Sequence, residues 1–389
     1  MSDFIKALDK KIIQSLKNNY GVENYDTYRF GTFPLNTNNN TSKEKKKWRD
    51  LGEPKKIIKE LKKFIKKIIG YNLENKAYPT LGHNFVNPYL NEFENIWCHI
   101  SKPDKKLLVS LIAYRVLGYK KVKLSRNNPE YWDAIKTATS LANSEDTIDP
   151  HFMHFILKKM DLKSIGLDIS FYYTEKGLAT TFIMEQYAYK LNDKSIVAAE
   201  SGDTVLDIGA CWGDTALYFA YKVGENGKVY SFEFIPDNLK LFNRNISLNP
   251  HFSSKIDLVP NPVSNNSGDL IYFKDHGPGS KVEFEFFEGH TGTASTISID
   301  DFVKSHRLEK VDFIKMDIEG AEPLALEGAI ETIKRFKPKL AIAIYHSMSD
   351  FVTIPNWILN LNLDYEIFIG HYTIHAEETI CFAKPKNRS

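Results

Sequence analysis

The stretch VLDIGACWGDTAL, residues 205–217, decides the fold of this chain. An apolar run with a single acid ends in Gly209, and Gly213 follows just before a segment with helical spacing. A strand, a glycine turn and a helix in this order open a βαβ unit, and glycines remove side chains where a ligand must approach the backbone. The stretch therefore predicts a nucleotide-type binding turn at the carboxyl end of a parallel strand.

The segments that follow the glycine turn support this prediction. Short apolar runs alternate with amphipathic segments, which predicts a doubly wound, mainly parallel α/β sheet. Residues 264–302 break the alternation and are predicted to be short antiparallel strands inserted at the sheet edge. The predicted strands are 204–208, 228–232, 256–259, 313–316, 340–345, 365–369 and 378–385, and the predicted helices are 177–191, 214–223, 236–248, 322–336 and 350–361.

Composition limits the classes of protein to be considered. The chain has 389 residues, 42% of them apolar, and a net charge of +2, so bulk charge does not indicate a polyanion binder. Its three cysteines form no CxxC pair, which disfavours a zinc site and a disulfide scaffold. There is no apolar leader and no apolar run of about 18 residues. These features predict a soluble, cytoplasmic protein.

The spacing of the glycines discriminates between ligands. A dinucleotide fingerprint requires G-x-G-x-x-G, but Cys211 and Asp214 stand at its second and third glycine positions. A carboxylate at Asp214 would repel a pyrophosphate, and no G-K-[ST] follows to make a P-loop. The remaining pattern, Asp-x-Gly-x-x-x-Gly, suits a ligand with a ribose, a cationic centre and no phosphate. S-adenosylmethionine has these properties and is the predicted cofactor.

The second predicted strand supplies a partner for the ribose. Glu233 ends this strand about 20 residues after Gly213, where a carboxylate can accept hydrogen bonds from both ribose hydroxyls. The same acid would serve NAD, so the missing central glycine is what disfavours a nicotinamide-dependent oxidoreductase. Asn261 and Val263, in NPVS (261–264), either wrap the adenine edge or only form a turn. Further residues assigned to the cofactor site are Ala210 and Phe234.

Two residues at later strand ends are the candidates for chemistry. Asp317 ends the strand FIKMD and His346 ends LAIAIYH, so both lie at the carboxyl edge of the predicted sheet. Methyl transfer to a hydroxyl needs a group that takes its proton, and a histidine or carboxylate can do so. Alternatively, Asp317 and His346 hold a divalent metal that lowers the hydroxyl pKa; a metal is not predicted. Alternatively, both residues have structural roles: Asp317 caps the helix that follows it, and His346 is a strand-end histidine whose ring nitrogens are hydrogen-bonded within the protein.

Several blocks together resemble the FkbM family of S-adenosylmethionine-dependent methyltransferases. They are DTVLDIGACWGDTAL (203–217), VYSFEFIPDNLKLFNRNI (229–246), STISIDDFV (295–303), VDFIKMDIEGAEPLALEGA (311–329) and KPKLAIAIYH (337–346). The resemblance covers about residues 170–385, and KMDIEGAE (315–322) is its most specific part. It implies a class I methyltransferase fold, a Rossmann-like sheet of seven strands with the last antiparallel. It also implies O-methylation, often of sugar hydroxyls in natural products, glycolipids or surface polysaccharides.

The resemblance also assigns residues and a domain division. The family's cofactor positions fall on Asp207, Gly209, Gly213 and Glu233, and FYYTEKG (171–177) resembles the lead-in that closes over the methionine end, which adds Tyr173 and Thr174. We therefore expect a methyltransferase domain at residues 166–389. Residues 1–165 form a mainly helical N-terminal region with predicted helices at 54–70, 104–118 and 130–142. Its expected role is acceptor recognition, capping or oligomerisation.

The predicted reaction has an alternative. The main hypothesis is O-methylation of a sugar or glycan-type acceptor. The alternative is a nucleic-acid methyltransferase or RNA-binding protein that uses the basic helix 54–70 within the lysine-rich segment 43–67. Most such charge runs are solvated helix faces, so nucleic acid is disfavoured. The same helix also suits peripheral contact with an anionic membrane surface.

Overall fold

The computed structural model describes residues 2–34 and 74–386, which divide into two units. The first unit is Met1–Asn127 with Ile374–Ala376, and the second is Asn128–Thr373 with Glu377–Ser389. The predicted domain boundary near residue 165 remains a prediction, and residues 128–165 pack with the second unit. The predicted helix 54–70 and the lysine-rich segment around it lie outside the described residues.

Helices make up the described part of the first unit. The helix predicted at 104–118 is observed at Lys102–Leu117 because Ser101 caps its start and Gly118, with φ of 77°, ends it. In the first helix Phe4, Ile5, Leu8 and Ile12 are buried, a spacing that places them along one face. The described α-helices of this unit are Asp3–Leu16, Thr27–Phe30, Glu74–Val86, Leu90–His99 and Lys102–Leu117.

The described strands all belong to the second unit. In chain order they are β1 (Ala142–Ile148), β2 (Leu157–Asp161), β3 (Ser170–Tyr173), β4 (Tyr189–Leu191), β5 (Lys194–Val197), β6 (Thr204–Ile208), β7 (Lys228–Phe232), β8 (Ile256–Val259), β9 (Leu270–Lys274), β10 (Lys281–Glu283), β11 (Gly292–Ser295), β12 (Phe313–Met316), β13 (Lys339–Ala343), β14 (Tyr365–His371) and β15 (Thr379–Pro385). Its α-helices are Pro129–Ser140, Glu175–Leu178, Asp214–Val223, Pro236–Ser247, Ile299–Ser305, Glu322–Glu327, Ile330–Phe336 and Asp350–Asn360.

Seven strands form the central sheet in the order β14-β15-β13-β12-β6-β7-β8. β6 pairs in parallel with β12 and β7, while β15 is antiparallel to both β13 and β14. Every residue of β6, β12 and β13 is buried, as expected for parallel strands covered on both faces, and this explains their mainly apolar sequences. The predicted Rossmann-like sheet with an antiparallel last strand is confirmed.

Two predicted helices differ from the observed ones. The segment predicted as one helix at 322–336 is two helices, Glu322–Glu327 and Ile330–Phe336. Gly328 lies between them, and a Cβ there would lie 2.3 Å from the Ser264 carbonyl oxygen. The segment predicted as a helix at 177–191 ends early. After Glu175–Leu178 and a π-helical turn at Ala179–Ile183, the chain enters the hairpin of β4 and β5. The positive φ of Glu185 breaks the helical path before the hairpin.

The insertion predicted between residues 264 and 302 is observed as a three-stranded antiparallel sheet in the order β10-β9-β11. A second three-stranded antiparallel sheet, β1-β2-β3, precedes the central sheet in the chain. Among the described residues, no helix has the length and apolar character needed to cross a bilayer.

Candidate active site

The turn after β6 requires glycine at two positions. Gly209 and Gly213 have φ values of +84° and +85°, and Cys211 between them is also left-handed at 47°. A Cβ on Gly209 would lie 2.0 Å from the carbonyl oxygen of Asp317, and one on Gly213 would lie 3.1 Å from the ring of Phe242. The sequence analysis explains these glycines by the close approach of a ligand to the backbone. The structure gives another cause, because protein atoms occupy the space of both missing side chains.

Asp207 lies behind the turn and is fully buried. The hydroxyl of Thr215 lies 2.9 Å from both carboxylate oxygens, and the hydroxyl of Ser231 donates to Oδ2 at 3.3 Å. The ammonium of Lys315 is 3.3 Å from Oδ1. These contacts fix the start of the turn from inside the protein. A direct contact of Asp207 with a cofactor remains a prediction.

Lys315 of β12 connects two strands beneath the turn. Its Nζ donates hydrogen bonds to the carbonyl oxygens of Ile208 at 3.2 Å and Gly209 at 2.6 Å. Burial favours the neutral amine, but the carboxylates of Asp207, Asp317 and Asp214 outweigh burial and raise the pKa of Lys315 above its ordinary value. Sequence reasoning placed Lys315 in a family motif without giving it a role. It supplies the positive charge that keeps this group of acids together.

Glu233 directly follows β7, at the carboxyl end of the strand as predicted, and its carboxylate turns toward the helix Pro236–Ser247. Oε1 accepts the backbone N–H groups of Phe234 and Ile235, both at 2.7 Å, and Oε2 accepts the Asn238 amide at 3.1 Å. Burial raises the pKa of Glu233, while these donors oppose the shift. The two carboxylate oxygens together can accept about four hydrogen bonds. Two are made to Oε1 and one to Oε2, so the side chain is fixed and Oε2 keeps the capacity to accept one more.

Asp214 begins the helix Asp214–Val223 and is buried beside the turn. Its Oδ2 accepts the hydroxyl of Thr181 at 3.2 Å. Burial raises its pKa to about 6, against opposing hydrogen bonds from Tyr173 and Thr181 and the charge of Lys315. Sequence reasoning used Asp214 only to exclude a pyrophosphate and missed it as a site residue. The signal that was present is a carboxylate at the first position of the helix after a glycine turn.

The other predicted cofactor residues lie around this turn. Tyr173 ends β3 with its ring edge-on to Trp212 at 6.1 Å, and the hydroxyl of Thr174 caps the next helix by accepting the N–H of Gly177 at 3.0 Å. Ala210 is buried and donates its N–H to the Phe232 carbonyl at 3.0 Å. The ring of Phe234 packs on Phe273.

The two residues predicted for the adenine edge follow β8. The Asn261 amide donates to the carbonyl of Ser295 at 3.0 Å. Val263 is buried and forms a bridge with Ile297. Both observed sets of contacts tie the loop after β8 to the chain that follows β11, so a contact with adenine remains a prediction.

Asp317 and His346 are brought together as predicted, and the structure adds Glu322. His346 Nε2 lies 3.4 Å from Asp317 Oδ1, and His346 Nδ1 lies 3.1 Å from Glu322 Oε1. Glu322 also accepts the backbone N–H of Ile318 at 2.8 Å. We call Asp317, Glu322 and His346 the acid–histidine cluster. The imidazole lies between two carboxylates, each facing a different ring nitrogen.

Charge in the acid–histidine cluster is mutually stabilised. Burial disfavours the imidazolium, but contact with Glu322 and the charges of Glu322 and Asp317 overcome burial and raise the pKa of His346 to about 10. Burial likewise opposes the ionised form of Glu322, and His346 outweighs it, so the pKa of Glu322 is lowered. At neutral pH the cluster therefore holds an imidazolium between two carboxylates.

Two tyrosines that sequence reasoning missed orient Asp317. The hydroxyl of Tyr187 donates to Oδ2 at 2.9 Å, and that of Tyr345 lies 3.0 Å from Oδ1 and 3.2 Å from Oδ2. Burial first, and then the charge of Asp317, raises the pKa of both hydroxyls well above the ordinary value, so both are donors. Tyr345 immediately precedes His346 in the chain. Tyr187 follows the π-helical turn at Ala179–Ile183 and lies outside every sequence motif described above.

The family model of the methyltransferase FkbM domain matches residues 207–367. These residues form a methyltransferase FkbM domain. The match includes the glycine turn, Glu233 and the acid–histidine cluster. It confirms the predicted family of S-adenosylmethionine-dependent methyltransferases and thereby the predicted cofactor, and the strands β6 to β14 of the FkbM domain carry the candidate site.

Several solved structures are similar to the chain that contains the FkbM domain. A methyltransferase FkbM from Methylobacillus flagellatus is 20% identical, with 71% of this chain and 65% of that chain covered and a TM-score of 0.40. A fibrillarin from Aeropyrum pernix, in complex with S-adenosyl-L-methionine, is 14% identical, with 59% and 89% covered and a TM-score of 0.33. A putative rRNA methylase from Clostridium thermocellum is 12% identical, with 48% and 89% covered and a TM-score of 0.31. No curated protein sequence matches the chain.

Proposed function

We propose that the FkbM domain transfers the methyl group of S-adenosylmethionine to a hydroxyl of a sugar or glycan-type acceptor, such as a surface polysaccharide, a glycolipid or a natural product. One observation carries the proposal. We call residues 209–213 the cofactor turn. The backbone carbonyl of Asp317, the acid proposed to act on the acceptor hydroxyl, lies against Gly209 of this turn, and the Asp317 side chain lies beside His346. The cofactor turn and the acid–histidine cluster thus form one continuous edge of the sheet.

The chemistry of the buried donor and acceptor groups fits the cofactor. At the end of β7, Glu233 Oε2 retains acceptor capacity for one ribose hydroxyl. Asp214 offers a buried carboxylate for a cationic amino group, with Tyr173 and Thr181 already oriented toward it. Tyr173 and Thr174 remain the proposed contacts for the methionine end. When bound, S-adenosylmethionine supplies an electrophilic methyl group whose sulfur leaves as a neutral thioether.

On the acceptor side, the chain must orient a hydroxyl and take its proton. The new oxygen–carbon bond forms with an oxygen electron pair, the carbon–sulfur bond breaks toward sulfur, and the hydroxyl proton leaves. Asp317 is the proposed proton acceptor because it is 15% exposed, while His346 already carries its proton between two acids. Tyr187 and Tyr345 hold the Asp317 carboxylate in place.

The acceptor class is supported by the family resemblance and by the position of NPVS. That segment follows β8, whereas a motif for methylation of amino groups belongs after the strand that here ends in Asp317. A hydroxyl nucleophile also has more need of a proton acceptor than an amine does. Residues 1–165 are proposed to contribute acceptor recognition, capping or oligomerisation.

The proposal is tested with the full-length protein in two steps. Isothermal titration with S-adenosylmethionine and S-adenosylhomocysteine should show one site for each, and Glu233→Gln should weaken both. Cofactor with a deuterated methyl group is then offered with oligosaccharides, glycolipids and RNA in parallel, and products are fragmented in a mass spectrometer. Label on a sugar oxygen is the expected result. Label on a nucleobase, or no cofactor binding, contradicts the proposal.

A further inference from the structure

The acid–histidine cluster has the composition of a metal site. Asp317, Glu322 and His346 each offer one ligand atom, and these three atoms lie within 4.8 Å of one another. Glu322 is fully buried, and the side chains of His346 and Asp317 are 9% and 15% exposed. Two anionic oxygens and one imidazole nitrogen form a donor set that first-row divalent cations accept.

An independent observation is that one buried acceptor atom of the cluster, Glu322 Oε2, is left without a partner among the described residues. The ring nitrogens of His346 are ion-paired, Nδ1 with Glu322 Oε1 at 3.1 Å and Nε2 with Asp317 Oδ1 at 3.4 Å, without the geometry of a full hydrogen bond. Buried polar atoms are normally satisfied, and the binding of an ion is one of the recognised reasons for an exception.

The carboxylates of the cluster are oriented by outer partners. Tyr187 and Tyr345 donate to Asp317, and the backbone N–H of Ile318 donates to Glu322 Oε1. Metal-ligating carboxylates are characteristically held in this way by hydrogen bonds from a surrounding shell. In this cluster every carboxylate that would act as a ligand has such a donor.

We propose that Asp317, Glu322 and His346 bind one divalent cation of the Mn²⁺ class. This inference rests on the proposed function and deepens it. A cation at this place adjoins the cofactor turn, because the Asp317 backbone contacts Gly209. One ring nitrogen of His346 would bind the cation as neutral imidazole, so cation binding would release the imidazolium proton to solvent. The cation would bind the acceptor hydroxyl and lower its pKa, and Asp317 would bind the cation through one carboxylate oxygen and accept the hydroxyl proton on the other. Acceptors with two neighbouring hydroxyls that chelate would be favoured.

The test is a titration of the full-length protein with MnCl₂, monitored by the EPR signal of free Mn²⁺. We expect one Mn²⁺ per chain, with nitrogen hyperfine coupling from one imidazole in the pulsed spectrum. Glu322→Gln and His346→Gln should abolish saturable binding, and His346→Gln should also remove the nitrogen coupling. Tyr345→Phe should weaken binding by about 10- to 100-fold through loss of an outer hydrogen bond.

The matched control is Glu327→Gln, which changes the same residue type at the other end of the helix Glu322–Glu327. It should bind Mn²⁺ like the wild type. Folding of each variant is checked by far-UV circular dichroism and by cooperative urea unfolding. If folded Glu322→Gln and His346→Gln bind Mn²⁺ as the wild type does, or if the wild type binds none, the metal site is excluded.

The two proposals fail separately. Methyl transfer to a sugar hydroxyl in the presence of a chelator, with no Mn²⁺ bound, overturns the metal site and leaves the proposed function intact. A Mn²⁺ site that responds to the variants, in a protein that methylates only nucleobases, leaves the metal site and overturns the proposed acceptor.

Discussion

The carbonyl oxygen of Asp317 lies 2.0 Å from the position that a Cβ on Gly209 would occupy. The end of β12 is therefore packed against the turn that follows β6, and a side chain at residue 209 would separate them. This relationship makes the cofactor turn and the proposed hydroxyl-side acid parts of one rigid unit.

Replacing Gly209 by alanine should therefore cost more than the backbone strain of a left-handed residue. We expect about 1–2 kcal/mol from the positive φ, further destabilisation from the clash, and loss of S-adenosylhomocysteine binding. Gly202→Ala is the matched control, because Gly202 has φ of +86° and no atom within 4 Å of its missing Cβ. Urea unfolding of both variants measures the difference. Equal destabilisation would mean that the contact with Asp317 is unimportant.

Lys315 is expected to be essential for stability. Lys315→Met removes the cation beside Asp207 and leaves that carboxylate buried without a counter-charge, which typically costs about 3–5 kcal/mol. The double variant Lys315→Met with Asp207→Asn should recover part of the loss, because the uncompensated charge is then absent. Denaturant unfolding of the single and double variants tests the coupling. Strict additivity of the two single effects would refute it.

Asp214 should make the stability of the protein depend on pH in a defined direction. Its pKa is about 6 in the folded protein, against an ordinary value of 3.8 for an exposed aspartate, so the folded state binds the proton more tightly. The aspartate therefore costs stability progressively as pH rises from about 4 to 6, by an amount on the order of 3 kcal/mol. Asp214→Asn should remove this loss, so the free energy of unfolding of the variant, relative to that of the wild type, should increase over that interval. Parallel unfolding profiles of the two proteins from about pH 4 to 7 would contradict the assignment.

The tyrosines on Asp317 should affect turnover more than cofactor affinity. Tyr187→Phe and Tyr345→Phe each remove a hydrogen bond to a charged group, worth about 1.5–3 kcal/mol, so kcat should fall by roughly 10- to 100-fold. The KM for S-adenosylmethionine should change little. Tyr221→Phe, at a tyrosine that is 44% exposed, is the control and should behave like the wild type. A change in cofactor KM without a change in kcat would place these tyrosines in cofactor binding instead.

Glu233 should contribute to cofactor affinity. Glu233→Gln keeps the size of the side chain but removes the charge, and we expect S-adenosylhomocysteine to bind roughly 10- to 100-fold more weakly. Adenosine, which has the same ribose without the amino acid, should be weakened to a similar extent. Calorimetric titration measures both ligands. A loss confined to S-adenosylhomocysteine would assign Glu233 to the amino acid end.

The central sheet could be predicted from the sequence because its strands are short, local, mainly apolar runs, several of them separated by helices. β6, β7, β8 and β12 are observed at the predicted residues, and Asp317 and His346 meet because parallel strands place their carboxyl ends at one edge. The helix predicted at 177–191 was wrong, since the left-handed Glu185 and the hairpin of β4 and β5 depend on pairing that helical periodicity does not reveal.

The sequence by itself determined the order of the seven central strands, the glycine turn and the acids at the strand ends, because burial periodicity and strand direction act over short stretches of chain. Only the tertiary structure decided which atoms those residues meet. It placed Lys315 on Asp207, Tyr187 on Asp317 and His346 between two acids, and it showed that Asp317 fills the space beside Gly209. These contacts join residues far apart in the chain, and their geometry follows from the packing of whole strands against one another.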